Sequence, residues 1–174
     1  MTTEALLVVD VQQGFLAGLV GAEEMISALR QLLDAARGAG ALVVHLQDVG
    51  DSDSRIPPDS PGRALVLDPR EGEVGVEKEA DDGFIGTDLE RVLREADVTG
   101  LVIGGLQSEM CVSATVRGAM ARGFTVVLPH DAHATYDIEG VGAEQVRLVA
   151  EHALGDQVVL VATSAEVRFD RARR

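Results

Sequence analysis

The chain has 174 residues, 46% of them hydrophobic and 25% charged, a composition that suits a globular domain and excludes a disordered segment. Its formal net charge of −14 argues against nucleic acid as a partner, because phosphates would be repelled. No apolar run approaches the ~18 residues of a membrane-spanning helix, so no membrane partner is expected.

The start of the chain, MTTEALLVVD, lacks a basic region and carries Asp10 inside its apolar stretch, unlike a signal peptide. The single cysteine cannot form an internal disulfide and suits a reducing compartment, so a cytoplasmic location is expected. No repeat or linker divides the chain, and one domain over residues 1–174 is expected.

Residues 5–11 (ALLVVDV) form an apolar, β-branched run, the pattern of a strand buried on both faces. Residues 23–37 follow with helical spacing: Met25, Leu29, Leu32, Leu33 and Ala36 share a face, and Gly38 and Gly40 end it. A second strand covers residues 41–47. Residues 48–62, rich in Asp, Ser, Pro and Gly, read as a long loop of a kind that often carries function. Residues 74–78 form a short third strand. Thr87 is placed to cap a helix running to Ala96, with Glu90 at the capping-box position. A strand at 101–106, a helix at 111–122 closed by Gly123, a strand at 125–129, a helix at 142–154 and a strand at 157–162 complete the pattern, and a basic tail follows.

This alternation predicts an α/β fold of three layers, a parallel sheet with helices on both faces. Ligands of such sheets bind beyond the carboxyl ends of the strands. Asp10 ends the first strand, Lys78 ends the third, and Cys111 follows the fourth, so three distant groups are expected at one sheet edge. Each has a plainer reading: a small buried hydrophobe for Cys111, a strand-end cap for Asp10, a solvated charge for Lys78. Context favours chemistry. Cys111 opens a helix, where a thiolate is stabilised. Asp10 interrupts an apolar run, so it needs a partner, and a nearby lysine favours the ionised forms of both neighbours.

The segments LLVVDVQQGF, the Lys78 strand followed by FIGTDL, and GGLQSEMCVSATVRGAMARGFTVVLPHDAHAT resemble the isochorismatase-like superfamily of cysteine hydrolases through almost the whole chain. The resemblance implies a six-stranded parallel sheet of order 3-2-1-4-5-6, a catalytic triad of Asp10, Lys78 and Cys111, and a cis peptide at Leu106–Gln107. The chemistry expected of that set is hydrolysis of a C–N bond in a small-molecule amide. Asp10 takes the thiol proton, Cys111 attacks, and the main-chain N–H groups of Gln107 and Cys111 receive the oxyanion.

Where nicotinamidases carry an Asp-x-His-x-x-His metal motif, Asp48 is followed by Val49 and Gly50 with no histidine, so neither a metal nor another cofactor is expected. His130 and His133 are read as surface or turn residues. Isochorismatases proper cleave a vinyl ether and typically lack the nucleophilic cysteine, so Cys111 favours an amidase. Gln12, Phe15 and Phe84, with Tyr136 beside them, are candidate pocket residues, though core packing of the two phenylalanines and a turn-capping Gln12 are equally open. Ser108 is read as a helix N-cap on the nucleophile turn, which also holds Glu109.

Other classes fit less well. The turn DVQQGF has no glycine-rich nucleotide fingerprint. A phosphoacceptor domain would leave Cys111 idle and needs acidic groups for Mg²⁺. A silent family member acting as an interaction subunit would retain no use for the three residues. The resemblance, with the weakly polar outer face of the 111–122 helix, also implies a homo-oligomer. Asp48, Asp51, Asp53 and Asp59 in the long loop, with Asp81, Asp82 and Glu109, suggest an acidic mouth that attracts a cationic substrate. The family includes hydrolases of cationic amide antibiotics of the streptothricin type, so the resemblance supplies a precedent.

Overall fold

The computed structural model describes residues 3–50 and 55–172. Six parallel strands form the sheet: β1 (Ala5–Val9), β2 (Leu42–Asp48), β3 (Val74–Lys78), β4 (Gly100–Leu106), β5 (Thr125–Pro129) and β7 (Val158–Val161), in the order β3-β2-β1-β4-β5-β7. This is the order the resemblance implies. One further strand, β6 (His133–Ala134), pairs with the end of β4, Gly105 facing His133 and Leu106 facing Ala134. Two residues are too few to show a period, so nothing in the sequence announces β6.

Among the described residues, four helices flank the sheet: α1 (Ala22–Ala39), α2 (Leu89–Glu95), α3 (Ser113–Ala121) and α4 (Ala143–Leu154). Successive strand residues point to opposite faces, so each buried strand feeds two cores. Leu6, Val8, Val43 and Val102 pack with Met25, Leu29, Leu32 and Leu33 of α1. Leu7, Val9, Val44 and Ile103 pack with Leu89 and Leu93 of α2, Val116 and Ala119 of α3, and Leu154 of α4. Each such valine, leucine, isoleucine or methionine side chain taken fully from water contributes about 1.5–3 kcal/mol. The division follows from right-handed crossovers. The connection through α1 steps from β1 toward β3, and those through α2, α3 and α4 step the other way. No helix among the described residues is long and apolar enough to cross a membrane.

Several boundaries differ from expectation for local reasons. β1 stops at Val9 and not at Val11 because Asp10 leaves the extended region for a left-handed one, φ 53°. α1 runs through Gly38 and ends at Gly40, whose φ of 72° lets its N–H reach back to Ala36 and Arg37. Thr87 Oγ1 accepts the Leu89 N–H at 3.2 Å, but Glu90 completes no capping box and pairs instead with Arg122 at 3.0 Å. The helix expected from residue 111 begins at Ser113, behind a wider turn over Ser108–Val112.

β1 has β2 on one side and β4 on the other, and the chain order reverses there. Gly105 of β4 permits that junction: its φ is 132°, and a Cβ on it would lie 2.0 Å from the Val9 carbonyl oxygen. The site forms over this junction.

Candidate active site

Asp10 leaves β1, Lys78 ends β3 and Cys111 lies in the turn after β4. Lys78 pairs in register with Asp48 of β2, two strands from Asp10, and its long side chain crosses that gap. Lys78 Nζ lies 2.8 Å from Asp10 Oδ2 and 3.4 Å from Cys111 Sγ, and it donates to the Ala80 carbonyl at 3.1 Å. The Lys78 and Asp10 side chains are 0% and 2% exposed. Cys111 Sγ also lies 3.5 Å from Asp81 Oδ1.

Electrostatics follow from burial. Loss of water raises the Asp10 carboxyl, and although the Lys78 charge pulls it back down, it ends at about 6. Burial and then the Asp10 charge push the Cys111 thiol well above its ordinary range. Burial works against the Lys78 ammonium, but Asp10 and Cys111 together outweigh it and raise its pKa. The resting state is therefore a carboxylate, an ammonium and a thiol. A carboxylate oxygen of Asp10 lies within 4.8 Å of the Cys111 sulfur.

The turn that carries Cys111 is built for position. The Leu106–Gln107 peptide is cis. The Gln107 carbonyl accepts the N–H groups of Met110 (3.1 Å) and Val112 (3.2 Å), and Met110 departs from helical geometry at φ −106°, ψ −107°. A cavity of about 100 Å³ opens over Cys111, lined by Asp10, Phe15, Asp48, Asp81, Leu106, Gln107 and Met110.

The structure sorts the remaining sequence candidates. Gln107 and Phe15 line the cavity. Gln12 does not: it is fully buried, donating to the carbonyls of Asp48 (3.0 Å) and Arg63 (3.1 Å) and accepting the Asp48 N–H (2.9 Å). Its position makes it a clamp on the Asp48 main chain. Phe84 lies in the core, stacked 6.0 Å from Phe124 with Arg122 over its ring. The Tyr136 hydroxyl donates to the Phe15 carbonyl, and Arg55 lies over both rings. Of the acidic residues, Asp48 and Asp81 line the cavity. Asp82 accepts the Phe84 N–H and faces Arg122, Asp59 lies away from the cavity, and Asp51 and Asp53 fall outside the described residues.

Two expectations are corrected. His133 is not a surface residue but 1% exposed, and Ser108 makes no helix cap, its side chain meeting His133 instead. Asp81 was visible in the sequence only as one acid among many. Its place beside Cys111 depends on the turn after Lys78, which no spacing rule gives.

Carboxylate oxygens of Asp10 and Asp48 and the Cys111 sulfur lie within 4.8 Å of one another, a spacing a metal ion could use. Asp10 and Cys111 already face the Lys78 ammonium, and an ion among them would meet that charge at close range.

Residues 4–164 match the model of the isochorismatase domain. The chain belongs to the isochorismatase family. This isochorismatase-family chain is 47% identical over 183 residues to a streptothricin hydrolase of Streptomyces noursei, an alignment covering 98% of this chain and 73% of that relative. A crystal structure of an isochorismatase from Pseudomonas putida KT2440 superimposes with a TM-score of 0.88 at 32% identity, covering 94% of this chain and 90% of that one. A cysteine hydrolase from Pseudomonas syringae pv. phaseolicola 1448A superimposes with a TM-score of 0.87 at 25% identity, over 93% and 89%.

Removing one partner of a buried ion pair strands the other charge. Lys78→Met is expected to destabilise the fold by about 3–5 kcal/mol at pH 8, where Asp10 is ionised, with part of the loss recovered when Asp10→Asn is added. Denaturant unfolding of the two variants checks this.

Proposed function

We propose that the protein hydrolyses an amide or lactam bond of a small molecule through a thioester on Cys111. The observation that carries the reading is the contact of Cys111 Sγ with Lys78, itself ion-paired to Asp10 in a buried site. Asp10 takes the thiol proton while sulfur attacks the carbonyl carbon, forming a C–S bond. Lys78 stabilises the thiolate and Asp10 in turn. The N–H groups of Gln107 and Cys111 receive the oxyanion. The C–N bond breaks as Asp10 returns its proton to the departing amine. Asp10 then takes a proton from water as its oxygen attacks the thioester carbon; the C–S bond breaks, the acid product leaves, and the proton returns to the Cys111 sulfur. No step requires a metal or organic cofactor, because Lys78 supplies the positive charge.

Cys111→Ala is expected to lower hydrolysis at least about 1000-fold while leaving the fold intact. The parent is expected to keep its activity in EDTA. Because the base must be ionised, kcat/KM should rise with pH through about 6, the value to which burial pushes Asp10. Steady-state kinetics on the parent and variant test all three. Full activity in Cys111→Ala would end the covalent reading.

The substrate is proposed to carry a positive charge. Asp10, Asp48 and Asp81 face the cavity against the single ammonium of Lys78, and the streptothricin hydrolase relative supports the same class of substrate. The protein is further proposed to act as a homo-oligomer. Ile138, Val141 and Val149 expose apolar side chains along a groove of about 610 Å³ beside the site, and a second copy would shield them.

Streptothricin and an uncharged small amide are to be compared at low and high salt. Asp81→Asn is expected to narrow the ratio of kcat/KM for the cation over the neutral amide about tenfold, whatever it does to both through Cys111, with the parent's preference shrinking in high salt. No preference of the parent for the cation at low salt would remove the acidic walls from substrate choice.

A further inference from the structure

Behind the nucleophile turn lies a second polar cluster that the reaction above does not use. Ser108, first residue of the turn, is 2% exposed, His133 of β6 is 1% exposed, and Glu151 on α4 is 8% exposed. Ser108 Oγ lies 2.8 Å from His133 Nδ1, and His133 Nε2 lies 3.0 Å from Glu151 Oε1. His130 Nδ1 reaches the same carboxylate oxygen at 2.6 Å.

The proton positions follow from this geometry. Burial, the largest effect on His133, holds its imidazole below the ordinary value, so it is neutral near pH 7. Burial alone would raise Glu151, but the hydrogen bonds from His133 and His130 outweigh it and lower its pKa, so it is ionised. A carboxylate only accepts, so both histidines donate to it. His133 Nδ1 is then an acceptor, and the Ser108 hydroxyl must donate to it. Every rotor in the chain is fixed.

Serine, histidine and carboxylate in this order are the parts of a nucleophilic triad. Here they cannot act as one, because Ser108 is buried and does not line the cavity over Cys111. What the chain can do is hold. The Ser108 carbonyl accepts the Ser113 hydroxyl at 2.7 Å, so the residue is tethered by both side chain and main chain. Gln107 precedes it and Cys111 follows three residues later, in a turn whose Met110 is not helical. Without an anchor, such a turn is free to tighten toward regular helix and carry Cys111 away from Lys78.

We propose that Ser108, His133 and Glu151 form a buried positioning relay that ties the nucleophile turn to β6 and α4 and so sets the aim of Cys111. The inference rests on Cys111 as nucleophile, yet it fails separately: Cys111→Ala tests the nucleophile, and the relay variants leave that residue in place. Displacing a reacting group by about 1 Å costs up to ~100-fold in rate. Ser108→Ala and His133→Leu are therefore expected to lower kcat about 10- to 100-fold with KM within about twofold of the parent, measured on streptothricin and corrected for folded fraction by circular dichroism. Ser108→Thr keeps the hydroxyl and Glu151→Gln keeps the acceptor oxygen, and both are expected to retain most of kcat, whereas Glu151→Leu loses it. Ser108→Ala tests the relay even if His133→Leu fails to fold. Parent-like kcat in Ser108→Ala, a change confined to KM, or equal losses in Glu151→Gln and Glu151→Leu would overturn the relay.

Discussion

The structure turns on one buried ion pair. Lys78 Nζ and Asp10 Oδ2 are 2.8 Å apart, and neither side chain has more than 2% of its surface in water. Either charge alone would be costly to hold there, and together they are tolerated because each answers the other. The Cys111 sulfur completes the arrangement at 3.4 Å from the ammonium. The same burial that makes the pair necessary lifts Asp10 to about 6, which brings it close to the pH at which a proton donor and acceptor must trade places. Stability and the proposed chemistry thus rest on one interaction.

The fold supplies the pair and the neighbouring cysteine from three strands at the point where strand order reverses. β1 delivers Asp10 through a left-handed residue, β3 delivers Lys78 across β2, and β4 delivers Cys111 through a cis peptide and a wide turn. The left-handed Asp10 and the non-helical Met110 both lie at the junction, as expected where a site overrides local preference. The clamps around it are side chains bonded to main chain: the buried Gln12 on Asp48, the partly buried Tyr136 on Phe15, and the buried Ser113 on Ser108. Asp48, Asp81 and the exposed Met110 complete the cavity lining.

Much of this was legible in the residues. Apolar runs broken by glycine gave the strands, and Asp10 inside such a run announced a buried charge in need of a partner. The strand order and the pairing of Asp10, Lys78 and Cys111 came from the resemblance together with the rule that ligands sit at the carboxyl edge. Less was legible where a side chain's direction matters more than its position. Gln12 and Phe84 stand close to site residues in sequence, but one turns to the main chain and the other to the core. His133 looked like a turn residue because β6 is only two residues long, and Ser108 looked like a cap because hydroxyls at helix starts usually are. Asp81 owes its place to a loop that no periodicity describes.

If the buried pair governs Cys111, then one proton is shared between Asp10 and the thiol above about pH 6, and two are held below it. The chain contains a single cysteine, so alkylation by iodoacetamide reports on that site alone. Its rate, followed by intact mass from pH 4 to 10 in the parent and in Asp10→Asn, is the most direct test. The account predicts a rise in the parent through about pH 6 that Asp10→Asn abolishes. A rate that follows only an ordinary thiol titration near ~8.5 in both proteins would contradict it.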